Sequence, residues 1–75
     1  MTVATALACR TCHQAAGTVL LHDQAHCATC ARSWLLLHVY VAAADQALAQ
    51  RHPRHALLLL ALAEQEADRL DRRAA

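Results

Sequence analysis

The sequence predicts a small, mostly α-helical chain in which a short knuckle and β-hairpin precede a two-helix antiparallel hairpin. Three observations predict it. All four cysteines stand in two Cys-x-x-Cys pairs near the amino end, Cys9 with Cys12 and Cys27 with Cys30. Apolar residues make up 57% of the chain, but they are mostly Ala and Leu, with one Gly and one Pro, which is a helical composition. That one proline, Pro53, falls inside the helical pattern and divides it.

Two residues between cysteines let one stretch of chain place two thiolates on the same tetrahedral ion. Two such pairs supply a complete four-sulfur shell. Zinc is the expected ion, because it accepts four soft sulfur ligands and asks only for a tetrahedron. Cys9, Cys12, Cys27 and Cys30 are therefore the expected ligands of one structural zinc per chain, within a finger spanning residues 9–33. A chain of 75 residues buries a modest core, so a metal staple is also expected on grounds of size. Reading the pairs as redox dithiols would call for a βαβ context, which this pattern lacks. His13, His22 and His26 are the candidates to replace a cysteine, but four thiolates already close the shell. His13 and His26 are expected to cover the sulfurs or face water. Four thiolates on a divalent ion carry net charge, which Arg10 and Arg32 are placed to offset unless they face solvent.

Taken in order, residues 1–8 read as a flexible tail, with Val3 or Leu7 available to pack on the knuckle. Leu7-Ala8-Cys9 has a faint likeness to a lipoprotein cleavage site, but there is no basic start and the apolar run is too short for a signal peptide. Cys9 to Cys12 should form a tight knuckle. Thr18 to Leu21 is β-prone and bounded by turn chemistry at Gly17 and at Asp23-Gln24, so a small hairpin should return the chain to Cys27.

From Ala28 to Gln50 there is no Gly or Pro, and Trp34, Leu37, Val41, Ala44 and Leu48 recur at alternating spacings of three and four. This predicts a first helix over residues 28–50, with Trp34 as a core residue beside the finger. A second seam of Leu36, Val39, Ala43 and Ala47 leaves that helix apolar over most of its girth. Pro53 forbids an unbroken hydrogen-bond ladder, displaces His52 from the α region, and suits the first turn of a new helix. The second helix is expected over residues 53–73, joined to the first by a turn at Arg51–Pro53; a kinked continuous helix is the competing geometry. Ala56 to Ala63 is apolar on every face, whereas beyond Glu64 only Ala67 and Leu70 form a stripe. Asp68 and Arg72 stand in the favourable i,i+4 order.

The cysteine pattern resembles the treble-clef and zinc-ribbon groups of small zinc fingers over residues 9–36. In ribbons a glycine commonly follows the second cysteine of each pair; here His13 follows Cys12 and Ala31 follows Cys30. In the treble clef the second pair lies at the start of a helix, and Cys30-Ala31-Arg32-Ser33-Trp34-Leu35 is similar to that. The resemblance implies only a ligand role for the four cysteines, since these folds serve many functions.

Composition narrows the function classes. Seven Arg, no Lys and six acids give a net charge of +1, which is no bulk reason to bind a polyanion or a membrane surface. The longest uncharged run, Ser33 to Ala44, is shorter than the roughly 20 residues that span a bilayer. Reduced, metal-binding thiols point to the cytoplasm. A closed sulfur shell offers a substrate no open position, and no Gly-rich phosphate loop is present, so no enzymatic activity is expected. One helical hairpin cannot bury all this Leu surface, and leftover apolar patches mark interfaces. The expected role is a protein–protein interaction or regulatory adaptor, acting as a homodimer or on a larger protein through the Leu-rich helices. The alternatives are a nucleic-acid-binding finger, with Arg10, Arg32, Arg51 and Arg54 on phosphates, and a thiol redox or metal sensor. The basic cluster Arg51-His52-Pro53-Arg54-His55 is expected to be a solvated turn.

Overall fold

The computed structural model describes residues 7–75. Element order is β1 (Val19–Leu21), β2 (Gln24–His26), α1 (Ala28–Ala49) and α2 (Pro53–Ala74). The strands form one antiparallel ribbon in which Val19 faces His26 and Leu21 faces Gln24. Its two-residue turn is His22-Asp23, both with positive φ, at 49° and 64°. That is the backbone of a hairpin turn whose twist matches the strands, built here without glycine.

Of the expected tail, residues 1–6 lie outside the described residues. Leu7 and Ala8 do not hang free. Ala8 bridges Ala16, and the Gly17 N–H donates to the Leu7 carbonyl across 2.7 Å. Gly17 does not serve as a positive-φ turn, contrary to the role its position implied. A Cβ there would lie 2.6 Å from the Ala25 Cβ and 3.2 Å from the Leu7 carbonyl oxygen, so glycine is required because two segments close in on it.

The two helices are separate, and the kinked continuous helix does not form. Arg51 turns left-handed at φ 63°, its N–H donating to Leu48 O, while the His52 N–H donates to Ala47 O across 2.8 Å. This is a Schellman closure of α1. His52 then sits at φ −114° and ψ 71°, outside the α region as a residue before proline must, and Pro53 opens α2.

The helices run antiparallel. At the turn end, Ala44, Ala47 and Ala56 are buried together with Leu59 against them. At the far end, Leu70 joins Cys9, Cys27 and Cys30, with Cys12, Trp34 and Leu37 packed around. The seam is thus not the expected row. Val41 and Leu48 are exposed, and Ala47 takes the buried place. Small side chains let two helices approach closely, so size selected the contact face where hydropathy was nearly uniform. Leu59 lies in this seam, whereas Leu58 is 67% exposed. Overall extents are 56 × 22 × 12 Å, and the smallest is about one helix diameter of 10–12 Å. The hairpin is therefore one layer thick. No described helix is long and apolar enough to cross a membrane.

Candidate metal centre

The four cysteines reach one point from two kinds of backbone. Cys9 and Cys12 sit on a knuckle closed by the His13 N–H donating to the Cys9 carbonyl across 3.0 Å. His13 adopts φ 58°, the left-handed conformation that glycine takes most easily. The second pair starts a helix. Cys27 is the N-cap of α1, and its Sγ accepts from the Cys30 N–H across 3.5 Å. An anionic sulfur at that place meets the positive end of the helix.

The ligand atoms of all four residues lie within 4.8 Å of one another, and the Cys12 and Cys27 sulfurs are 3.9 Å apart. Metal–sulfur bonds of about 2.3 Å place tetrahedral ligands about 3.8 Å apart, so the spacing fits a single ion. No disulfide joins any of them. Cys9, Cys27 and Cys30 are buried and Cys12 is half-buried. Among the described residues this is the one cluster of His, Cys, Asp or Glu able to hold a metal ion.

The electrostatics of the four thiols are uneven. Burial pushes the Cys9 thiol up, but backbone N–H groups of Cys12, Cys27 and Thr11 outweigh it and hold the group at about 5, far below 9.0. Cys12 is also lowered, by the backbone N–H groups of Gln14 and Ala15. Cys30 is pushed up to about 12, first by burial and then by the three neighbouring sulfurs. Four thiols this close cannot all shed their protons unaided, and a divalent cation at their centre supplies the compensating charge. The donor set fits a metal on chemical grounds as well as on spacing.

Around the sulfurs, Trp34 Nε1 donates to Thr11 Oγ1 across 3.0 Å, and the same hydroxyl lies 3.2 Å from His26 Nδ1. His26 is buried beside Trp34 and is not among the clustered ligands; His13 and His22 are exposed. Arg10 and Arg32 are exposed and neither reaches a sulfur; instead Arg72 and Arg73 line a hollow of about 480 Å³ with Cys12 and Cys27. Arg51 to His55 are exposed at the hairpin tip. Sequence reasoning did not find Thr11, Leu70, Arg72 or Arg73 around the site. Only Leu70 carried a signal, as the last apolar residue of the α2 stripe.

Fold and site together define a small, mostly helical chain with a four-cysteine cluster arranged to hold a metal ion. No family model, no curated protein and no solved structure matches the chain.

Proposed function

We propose that this protein is a zinc-stapled interaction module, whose finger is of the treble-clef type and whose helical hairpin docks onto other protein surfaces as an adaptor or regulator in the cytoplasm. Zinc is the ion that four clustered thiolates at tetrahedral spacing suit best. Its role is structural, since a shell of four sulfurs leaves no position for substrate. The treble-clef reading is supported by the second pair opening a helix while the first sits on a knuckle.

A single observation carries the interaction role. The hairpin buries alanines between its helices and turns its large side chains outward: Leu35, Val39, Val41, Leu48, Leu57 and Leu58 are all exposed. A monomer gains nothing from a bulky apolar exterior, and exposed apolar surface of this extent marks a protein contact. We favour a second copy of the chain as the first occupant, because a one-layer pair of helices becomes a four-helix bundle when two are stacked. Sedimentation of the zinc-loaded protein tests this. A dimer is expected, and a monomer at high micromolar concentration, with no partner retained on co-purification, would refute it.

A further inference from the structure

At the metal end, α1 and α2 enclose a cleft of about 570 Å³ lined by Arg32, Glu66, Arg69, Arg72 and Arg73, with Ser33 and Leu36 among the other walls. Its arginines come from both helices. Among the described residues the one ion pair of the chain is Arg69 to Glu66 at 2.9 Å. The expected Asp68–Arg72 pair is not formed, so Arg32, Arg72 and Arg73 border the cleft with no carboxylate bound to them among the described residues. Arg72 and Arg73, in the last turn of α2, complement its helix dipole. Arg32 has no such excuse. It lies near the start of α1, where the dipole is already positive and the first turn holds no acid.

A second observation points the same way. Glu66 is only 5% exposed, and its Oε1 has no hydrogen-bond partner. That oxygen is closed to solvent and the other is taken by Arg69, so Glu66 does not neutralise Arg32, Arg72 or Arg73. The cleft therefore lacks an anion with enough oxygens for three guanidinium forks. A carboxylate has two oxygens, whereas a phosphate has three free ones and more charge.

We propose that this cleft binds a phosphorylated side chain on a partner protein, with Arg32, Arg72 and Arg73 on the phosphate. The proposal rests on the adaptor reading and names the chemistry of the partner. A protein segment is favoured over a nucleic-acid strand for two reasons. No aromatic side chain lines the cleft to stack a base, and the arginines converge on one concavity, with an acid among them, where a strand needs a continuous basic track. Arginine clusters of this kind are a recurring mode of phosphopeptide recognition.

The test uses the zinc-loaded full chain and fluorescence anisotropy of a short Gly/Ala peptide bearing a central phosphoserine. The phosphopeptide should bind at least about tenfold tighter than its unphosphorylated twin, and a Glu-substituted twin should fall between them. Arg32→Ala and Arg72→Ala should each weaken the phosphopeptide by about tenfold, and Arg32→Ala, at an exposed side chain that reaches no sulfur, should leave zinc content and helicity unchanged. Equal affinity for the phosphorylated and plain peptides, or indifference to the arginine substitutions, would overturn the proposal. So would displacement of the phosphopeptide by an equal concentration of single-stranded DNA. Failure here is separable from failure of the adaptor reading, because Leu58→Glu removes self-association and leaves the cleft intact.

Discussion

Trp34 Nε1 donates to Thr11 Oγ1 across 3.0 Å, joining a residue inside the first Cys-x-x-Cys pair to the second turn of α1. The knuckle is thereby fixed to the helix by something other than the sulfurs. His26, at the end of β2, completes the link through the same hydroxyl. The three segments that carry the cysteines, or border them, share one polar anchor beside the ligand cluster. Trp34→Phe keeps most of the ring packing and removes the donor. It should cost about 1 kcal/mol in denaturant unfolding of the zinc-loaded protein. A change under a few tenths would mean that the bond contributes nothing beyond packing.

The sulfurs themselves should decide whether the amino-terminal half folds. Metal binding in such modules amounts to about 10 kcal/mol or more of folding free energy. Cys27→Ser removes a ligand sulfur while its hydroxyl can still cap α1, so the loss it reports is that of the metal. The variant should surrender zinc to a chromogenic chelator and lose the near-UV signal of Trp34. Full zinc occupancy in that variant would contradict the assignment of the site.

Three backbone positions give predictions of opposite sign. His13 and Arg51 hold φ of 58° and 63°, where a side chain is strained. His13→Gly and Arg51→Gly should each stabilise the protein by about 0.5–1 kcal/mol. Gly17→Ala should destabilise it by about 1–3 kcal/mol, since its Cβ would press on the Ala25 Cβ with no flexible group to yield. Thermal unfolding of the three variants checks all the signs at once.

The same positions show what a sequence can and cannot tell. Both helices were readable, because glycine-free runs and Pro53 are local signals; α1 spans Ala28–Ala49 and α2 Pro53–Ala74. The cysteine cluster was readable because the spacing itself carries the chemistry. The turn was legible only to within a residue: it falls at His22-Asp23 and not at Asp23-Gln24, since Gln24 pairs in β2 and two residues that tolerate positive φ precede it. Nor was the register between the helices. With apolar residues on nearly every face, periodicity could not show that Ala44 and Ala47 would go in while Val41 and Leu48 stayed out. Arg69 pairing with Glu66, three residues earlier, in preference to an Asp68–Arg72 pair is a tertiary outcome, as Glu66 is held in the seam.

Acid should release the metal, and the sign can be worked out from two thiols. Cys9 is held at about 5, below 9.0, so its thiolate favours the folded chain fully above pH 9 and the contribution is lost as pH falls through 5. Cys30, at about 12, behaves oppositely: its thiol form favours the metal-free fold below pH 9, and that contribution is lost as pH rises through 12. Zinc uptake at neutral pH should therefore expel at least one proton from the sulfur cluster, because burial and the neighbouring sulfurs hold the Cys30 proton until a cation displaces it. Calorimetry in buffers of differing ionisation enthalpy measures that release. Retention of zinc unchanged well below pH 5 would contradict this picture.

The outward leucines yield the sharpest contrast, because two adjacent residues should fail in different ways. Leu58 is 67% exposed, and Leu59 packs on Ala44, Ala47 and Ala56 inside the hairpin. Leu58→Glu puts a charge on the proposed docking face at a side chain that is mostly exposed and lies outside the buried clusters. It should leave helicity and zinc content intact while shifting sedimentation from dimer to monomer. Leu59→Glu instead sets a charge without a partner in the partly buried seam between two helices and removes its packing on three alanines, so helicity itself should fall. If both substitutions left the sedimentation profile and the circular dichroism unchanged, the exterior leucines would not be an interface. If Leu58→Glu unfolded the chain as Leu59→Glu does, the two helices would need their outer faces covered in order to fold at all. That outcome would make the partner part of the fold, and the dimer obligate.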